Sequence, residues 1–212
     1  MSDYRNTKYC PSLDGVNTRK QEVRKCVLID YPRAKDMHAY VKINDQKYKT
    51  EFMKAYNCKC AYCGVSIDLI SRVMFEIDHF VNQAAPEFGG SKVKAGTIEN
   101  LVLACHDCNH SKSGFSITST NKENLNPDGE LISTYFYRDD MYYIKPTDAA
   151  KENADVSLFY SKLHLGSEIH RIDYLVMSMI GLQKELKKKG KDYKELSDAI
   201  SALKGKRNLM SL

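Results

Sequence analysis

The chain has 212 residues, a net charge of +5 and a hydrophobic content of 42%, enough for one elaborated domain or two small ones with a real core. No apolar run approaches the roughly 20 residues of a membrane helix, and residues 1–11 are polar, without the apolar stretch of a secretory signal. These features predict a cytoplasmic protein, and an odd total of seven cysteines argues against a disulfide framework.

The charge is unevenly distributed. Residues 1–60 carry 13 Lys/Arg against 7 Asp/Glu, residues 61–130 carry 5 against 9, and residues 131–212 carry 14 against 11. The basic flank, including Arg19, Lys20, Arg24 and Lys25, is suited to neutralising phosphates; ordinary solvated charge accounts for it as well, as it does for the Lys187-Lys188-Lys189 run. Residues 48–56 have helical spacing in Tyr48, Phe52, Ala55 and Tyr56 and predict a lead-in helix. Two Cys-x-x-Cys pairs follow, Cys60/Cys63 and Cys105/Cys108, separated by 41 residues. Zinc takes four tetrahedral ligands, and structural sites draw them from pairs with this two-residue gap. The pairs therefore predict one structural zinc clamping a long excursion of chain. Disulfides or a redox Cys-x-x-Cys are the alternatives; Cys58 is a competing ligand, and Cys10 and Cys26 read as free thiols.

Inside the excursion, residues 74–80 alternate as a half-buried strand does. Phe75, Ile77 and His79 share one face, and Glu76, Asp78 and Phe80 the other. Adjacent side chains on a regular strand do not converge, so Asp78 and His79 can act together only where the strand ends. Residues 81–96, with Pro86, Gly89, Gly90 and Gly96, predict a loop. Residues 98–105 predict a second strand and residues 109–115 a short helix.

The order of these residues resembles the HNH endonucleases, which have the ββα-metal fold: Cys60 and Cys63, Asp78-His79, Asn100 in an I-E-N-L segment, then Cys105, Cys108, Asn109 and Lys112. The match runs from about Lys59 to Gly114. It departs from many members in lacking a Pro after the His, where Phe80-Val81-Asn82-Gln83 stands. The resemblance implies that His79 is the general base that takes a proton from water. It implies that Asp78 and Asn109 hold one Mg²⁺ or Mn²⁺ through oxygen, that Asn100 orients His79 or its loop, and that Lys112 contacts nucleic-acid phosphate. His106 and His110 flank the site as bystanders, with alternative ligands or DNA contacts as the other readings, and Glu76 shares the Asp78 face without an assigned role.

Toward the C-terminus, residues 118–130 read as a linker and residues 131–144 as a hairpin turning near Asp139-Asp140. Its tyrosines belong either to the hairpin packing or to base stacking. Ile169, Ile172, Leu175, Val176, Met179, Ile180 and Leu186 form the apolar stripe of a helix that Gly190 stops, and residues 193–203 form another. That stripe serves as core, partner face or dimer face. The expected whole is an α+β protein: a basic extension with its lead-in helix (1–57), a zinc-pinned nuclease-like core (58–116), and a hairpin with helices (117–212). The implied function is metal-dependent hydrolysis of DNA phosphodiesters; a non-catalytic zinc-ribbon nucleic-acid-binding or adaptor module is the competing class. The layout, rather than any motif, also resembles antiphage nucleases such as Septu, which works beside an ATPase, and restriction endonucleases. That implies a separate ATPase or sensor partner and leaves homo-oligomerisation open.

Overall fold

The computed structural model describes residues 3–43, 46–113 and 115–210; Met1 and Gly114, which bound segments discussed above, lie outside the described residues. The architecture is α+β. Helices α1 (Val16–Asp30), α2 (His38–Val41) and α3 (Lys47–Ala55) precede strand β1 (Phe75–His79). Helix α4 (Lys92–Ala95) leads to strand β2 (Leu101–Cys105) and helix α5 (His106–Lys112). Then come α6 (Lys122–Leu125), α7 (Ile132–Tyr135), the strands β3 (Phe136–Arg138) and β4 (Ile144–Pro146), and helices α8 (Asp148–Glu152), α9 (Ala154–Lys162), α10 (Glu168–Lys188) and α11 (Lys194–Met210). No described helix is long and apolar enough to cross a membrane.

β1 and β2 form a two-stranded antiparallel sheet with Phe75 opposite Cys105, Ile77 opposite Leu103 and His79 opposite Leu101. The strand pair ends where the loop turns away, since the Phe80 amide donates to the Asn100 carbonyl at 2.8 Å. Residues 98–100 form a 3₁₀ turn rather than the start of the strand, so β2 is shorter than its apolar pattern predicts. Residues 81–96 also carry more structure than a plain loop. A 3₁₀ turn covers Pro86–Phe88, and Ser91 caps α4 by accepting the Lys94 amide. Helix α5 begins at His106, three residues earlier than periodicity predicts, because Cys105 is its N-cap residue. The second cysteine pair is thus a strand end running into the first turn of a helix.

Packing joins this unit to both flanks. On α1 the buried positions Val16, Lys20, Val23 and Val27 follow one helical face, which packs against α3. Lys20 is therefore no phosphate contact: its side chain is 1% exposed and its Nζ lies 2.6 Å from Asp128 Oδ2. Asp128 also accepts the Tyr56 hydroxyl at 2.8 Å. The linker expected at 118–130 is thus bolted to the core and contains α6. One hydrophobic cluster runs from Tyr4 to Met177, with Phe52, Tyr62, Phe75, Phe136 and Phe159 fully buried. Each such aromatic contributes about 1.5–3 kcal/mol by leaving water. Phe159 of α9 meets the rings of Tyr62 and Phe115 edge-on at 5.9 and 5.5 Å.

The hairpin is shorter than its alternation predicts. β3 and β4 have three residues each, pairing Phe136 with Pro146, because residues 132–135 coil into α7 and Tyr142 takes a left-handed φ of 68° in the turn. The stripe on α10 is covered within the chain: Ile172, Val176 and Ile180 pack with Ile200 of α11. At Gly181 an added Cβ would lie 2.7 Å from Tyr9 Cβ, so the absence of a side chain lets the N-terminal arm cross the helix.

Candidate metal centre and active site

The sulfurs of Cys60, Cys63, Cys105 and Cys108 all lie within 4.8 Å of one another, and all four residues are buried. Cys63 Sγ and Cys105 Sγ are 3.8 Å apart. That excludes a disulfide between them, which needs about 2.05 Å. It equals the edge of a tetrahedron with Zn–S bonds of about 2.3 Å, which is about 3.8 Å. The chemistry of the donors points the same way. Burial opposes ionisation of Cys60, yet the other three sulfurs hold its thiol well below its ordinary value, while Cys63 and Cys108 are pushed well above theirs. Four buried thiols this close favour one negative charge at a time, and a divalent cation removes that conflict. Cys58 lies outside the four-sulfur group.

Local structure builds the first knuckle. The Ala61 amide donates to the Leu103 carbonyl at 2.7 Å, tying the knuckle to β2. The Tyr62 amide points at Cys60 Sγ, 3.4 Å away. Gly64 closes the turn at φ 82°, where an added Cβ would meet the Arg5 carbonyl at 2.5 Å, so glycine is required twice over. Arg5, itself 4% exposed and paired with Asp3, donates to the Ala61 and Pro127 carbonyls at 2.6 Å each.

The knuckle passes its rigidity to β1 through Tyr62. This ring is fully buried and its hydroxyl donates to Asp78 Oδ2 at 2.7 Å. Lys112 of α5 approaches the same carboxylate, with Nζ 2.9 Å from Oδ2 and 3.2 Å from Oδ1, and donates to the His79 carbonyl at 3.0 Å. Burial raises the Asp78 carboxyl above its ordinary value, against the charge of Lys112 and the hydrogen bonds from Tyr62 and Lys112. A carboxylate has roughly four lone-pair sites, so Asp78 retains capacity for a further cation. Lys112, expected at a phosphate, is buried and its ammonium faces Asp78.

Asp78 and His79 both line a cavity of about 300 Å³, together with Glu76, Asn109, His106 and His110. They converge because His79 is the last residue of β1. Burial pulls the His79 imidazole below its ordinary value, which favours the neutral, proton-accepting form. Asn100 pins the following loop: its amide donates to the Val81 and Ala95 carbonyls at 3.0 and 2.9 Å and its Oδ1 accepts the Val81 amide at 2.9 Å. Asn109 stands on α5 across the cavity, and its amide nitrogen donates to Glu76 Oε2. Glu76 also lies 2.8 Å from His106 Nδ1. Burial would raise the Glu76 carboxyl, but the hydrogen bonds from His106 and Asn109 hold it below its ordinary value.

The cavity thus presents oxygen-bearing side chains from β1 and α5, Glu76, Asp78 and Asn109, as a hard, partly hydrated divalent cation requires. Three contributors were not assigned roles from the sequence. Glu76 carried a signal, two residues before Asp78 on the same strand face. Tyr62 carried only its place inside the knuckle. His38, whose ring lies 4.3 Å from that of His79, carried none.

Residues 60–115 match the family model described as HNH endonuclease. Over 76 residues the chain is 38% identical to the CRISPR-associated endonuclease Cas9 of Corynebacterium diphtheriae, covering 35% of this chain and 6% of that protein. Over 104 residues it is 33% identical to the CRISPR-associated endonuclease Cas9 of Actinomyces naeslundii, covering 47% of this chain and 8% of that protein. The chain therefore spans only a small fraction of these relatives. No solved structure matches it. The four-sulfur clamp, the strand pair and the helix that follows it, together with this match, identify residues 60–115 as an HNH endonuclease domain.

Proposed function

We propose that the chain is an endonuclease that hydrolyses DNA phosphodiester bonds, with His79 activating water, a divalent cation held beside it, and a structural zinc on Cys60, Cys63, Cys105 and Cys108. One observation carries this reading: Asp78, His79 and Asn109 line a single cavity, and Asn109 follows Cys108 of the four-sulfur clamp on α5. A zinc-ribbon adaptor accounts for the sulfurs but has no use for that convergence.

The residues divide the chemistry. His79 takes a proton from a water aimed at phosphorus, a step worth typically about 10²–10⁴-fold. Asp78, steadied by Tyr62 and Lys112, and Asn109 would hold Mg²⁺ or Mn²⁺, with Glu76 facing the same space. When bound, the ion neutralises charge growing on the phosphate and on the leaving oxygen. Asn100 keeps the loop after His79 in place. Lys112 pairs with the buried Asp78 and helps hold the carboxylate in place. Tyr62 couples the two metal sites, since the knuckle that binds zinc also supplies the Asp78 hydrogen bond.

DNA as the substrate, and a place in antiphage defence or restriction beside a partner protein, complete the proposal. The similarity to CRISPR-associated endonucleases supports the cleavage of a nucleic acid. The test is nicking of supercoiled plasmid by the zinc-loaded chain. Mild EDTA should silence it and Mg²⁺ alone should restore it. DNA binding without nicking at any Mg²⁺ or Mn²⁺ concentration would favour the adaptor reading instead.

A further inference from the structure

His38 lies outside the matched segment, on α2, yet its ring sits against His79 with centroids 4.3 Å apart and planes inclined by 54°. The contact is firmly built. Among the described residues β1 pairs with β2 alone, which leaves the carbonyls of its other edge to side chains. The Phe75 carbonyl accepts from Lys49 Nζ at 2.9 Å and the His79 carbonyl from Lys112 Nζ at 3.0 Å. The backbone behind His38 is fixed as well: the Met37 and His38 amides both donate to the Gly96 carbonyl, at 2.8 and 3.3 Å. Met37 and Val41 are buried in the main core. Gly96 is itself crowded, since a Cβ there would lie 2.0 Å from Asp36 Oδ1.

His79 has no hydrogen bond to its ring among the described residues; its backbone carbonyl accepts from Lys112. A general base must be aimed, and an imidazole without a hydrogen-bonded partner is aimed by packing alone. We infer that His38 is a positioning residue: with its backbone fixed on the Gly96 carbonyl, its ring packs against the His79 imidazole and holds it in the orientation that faces the cavity. The segment before the HNH domain thereby completes its active site. This inference rests on the nuclease reading above, and the experiment below separates the two.

The test uses the zinc-loaded 212-residue chain labelled with ¹³C,¹⁵N-histidine, as parent, His38→Ala and His38→Phe. Three-bond couplings to the His79 ring report whether its χ1 occupies one rotamer, and single-turnover plasmid nicking at saturating enzyme reports the chemical step. The parent should show one rotamer. His38→Ala should show rotamer averaging and a rate lowered by about 10²-fold, the scale of an ångström-sized misplacement, with DNA affinity unchanged. His38→Phe keeps a ring in the gap and should recover both the single rotamer and most of the rate. A single His79 rotamer or a parental rate in His38→Ala would overturn the inference, as would a folded His38→Phe that behaves no better than His38→Ala. If His38→Ala does not fold, His38→Phe carries the decision. A parent that cleaves no DNA would sink the nuclease reading, and the couplings alone would then decide whether His38 positions His79.

Discussion

Replacing Asp128 with Ala should destabilise the protein severely although the residue does not line the cavity that holds Asp78 and His79. Asp128 is 2% exposed at its side chain and Lys20 1%, with 2.6 Å between them. The same carboxylate accepts the Tyr56 hydroxyl at 2.8 Å, whose remaining acceptor is the Leu101 carbonyl at 3.3 Å. Truncation would strand a buried ammonium and weaken the anchoring of a buried phenol. Breaking a buried ion pair from one side costs about 3–5 kcal/mol. For a chain of this size each kcal/mol lowers Tm by about 2–4 °C, so the expected fall is about 6–20 °C. The assay is thermal unfolding at fixed zinc, because bound metal itself raises Tm. Asp128→Asn, which keeps an acceptor for Tyr56 but removes the charge, should fall between parent and Asp128→Ala. The double variant Lys20→Met with Asp128→Leu should recover much of the loss, since no buried charge is left unpaired. A fall of under about 2 °C in Asp128→Ala would show that water reaches Lys20, and that residues 118–130 are not the brace described here.

Two further outcomes follow from the proposed metal sites. Elemental analysis of protein purified without chelator should find one zinc per chain, and Cys63→Ser or Cys105→Ser should unfold the central region, because structural zinc supplies on the order of 10 kcal/mol of folding free energy; folded, soluble protein free of zinc would refute the four-sulfur assignment. Asp78→Ala should abolish Mg²⁺-dependent nicking while zinc stays bound, and Asn109→Ala should do the same or raise the Mg²⁺ concentration required; full Mg²⁺-dependent cleavage by zinc-loaded Asp78→Ala would contradict the separation of the two sites.

The features legible in the sequence were those encoded by local spacing. Two-residue gaps bring Cys60 to Cys63 and Cys105 to Cys108, and alternation in residues 74–80 separates Glu76 and Asp78 from Phe75 and Ile77. Helical spacing in Tyr48, Phe52 and Ala55 marks α3, which spans Lys47–Ala55. What stayed hidden depends on partners far away in the chain. Lys20 looks like a surface cation until Asp128, 108 residues on, is seen beside it. Glu76 and Asn109 meet across 33 residues, and no periodicity relates a strand position to a helix position that distant. His38 lies on a helix of only four residues, too short to leave a pattern. Element ends failed for a related reason: the switch from the 3₁₀ turn at Ile98–Asn100 to β2 follows the clamp made by the Asn100 side chain, not the apolar run through which both pass.

The central claim is that His79 performs the chemical step at this cavity, and single-turnover nicking of supercoiled plasmid by zinc-loaded His79→Ala tests it most directly. The ring is half-buried at the end of β1 and makes no hydrogen bond that the fold depends on, so the variant should keep its zinc, its Tm and its DNA affinity. Its cleavage rate in Mg²⁺ should fall by about 10²–10⁴-fold, the worth of a general base. Cleavage at the parental rate by folded, zinc-loaded His79→Ala would contradict the account.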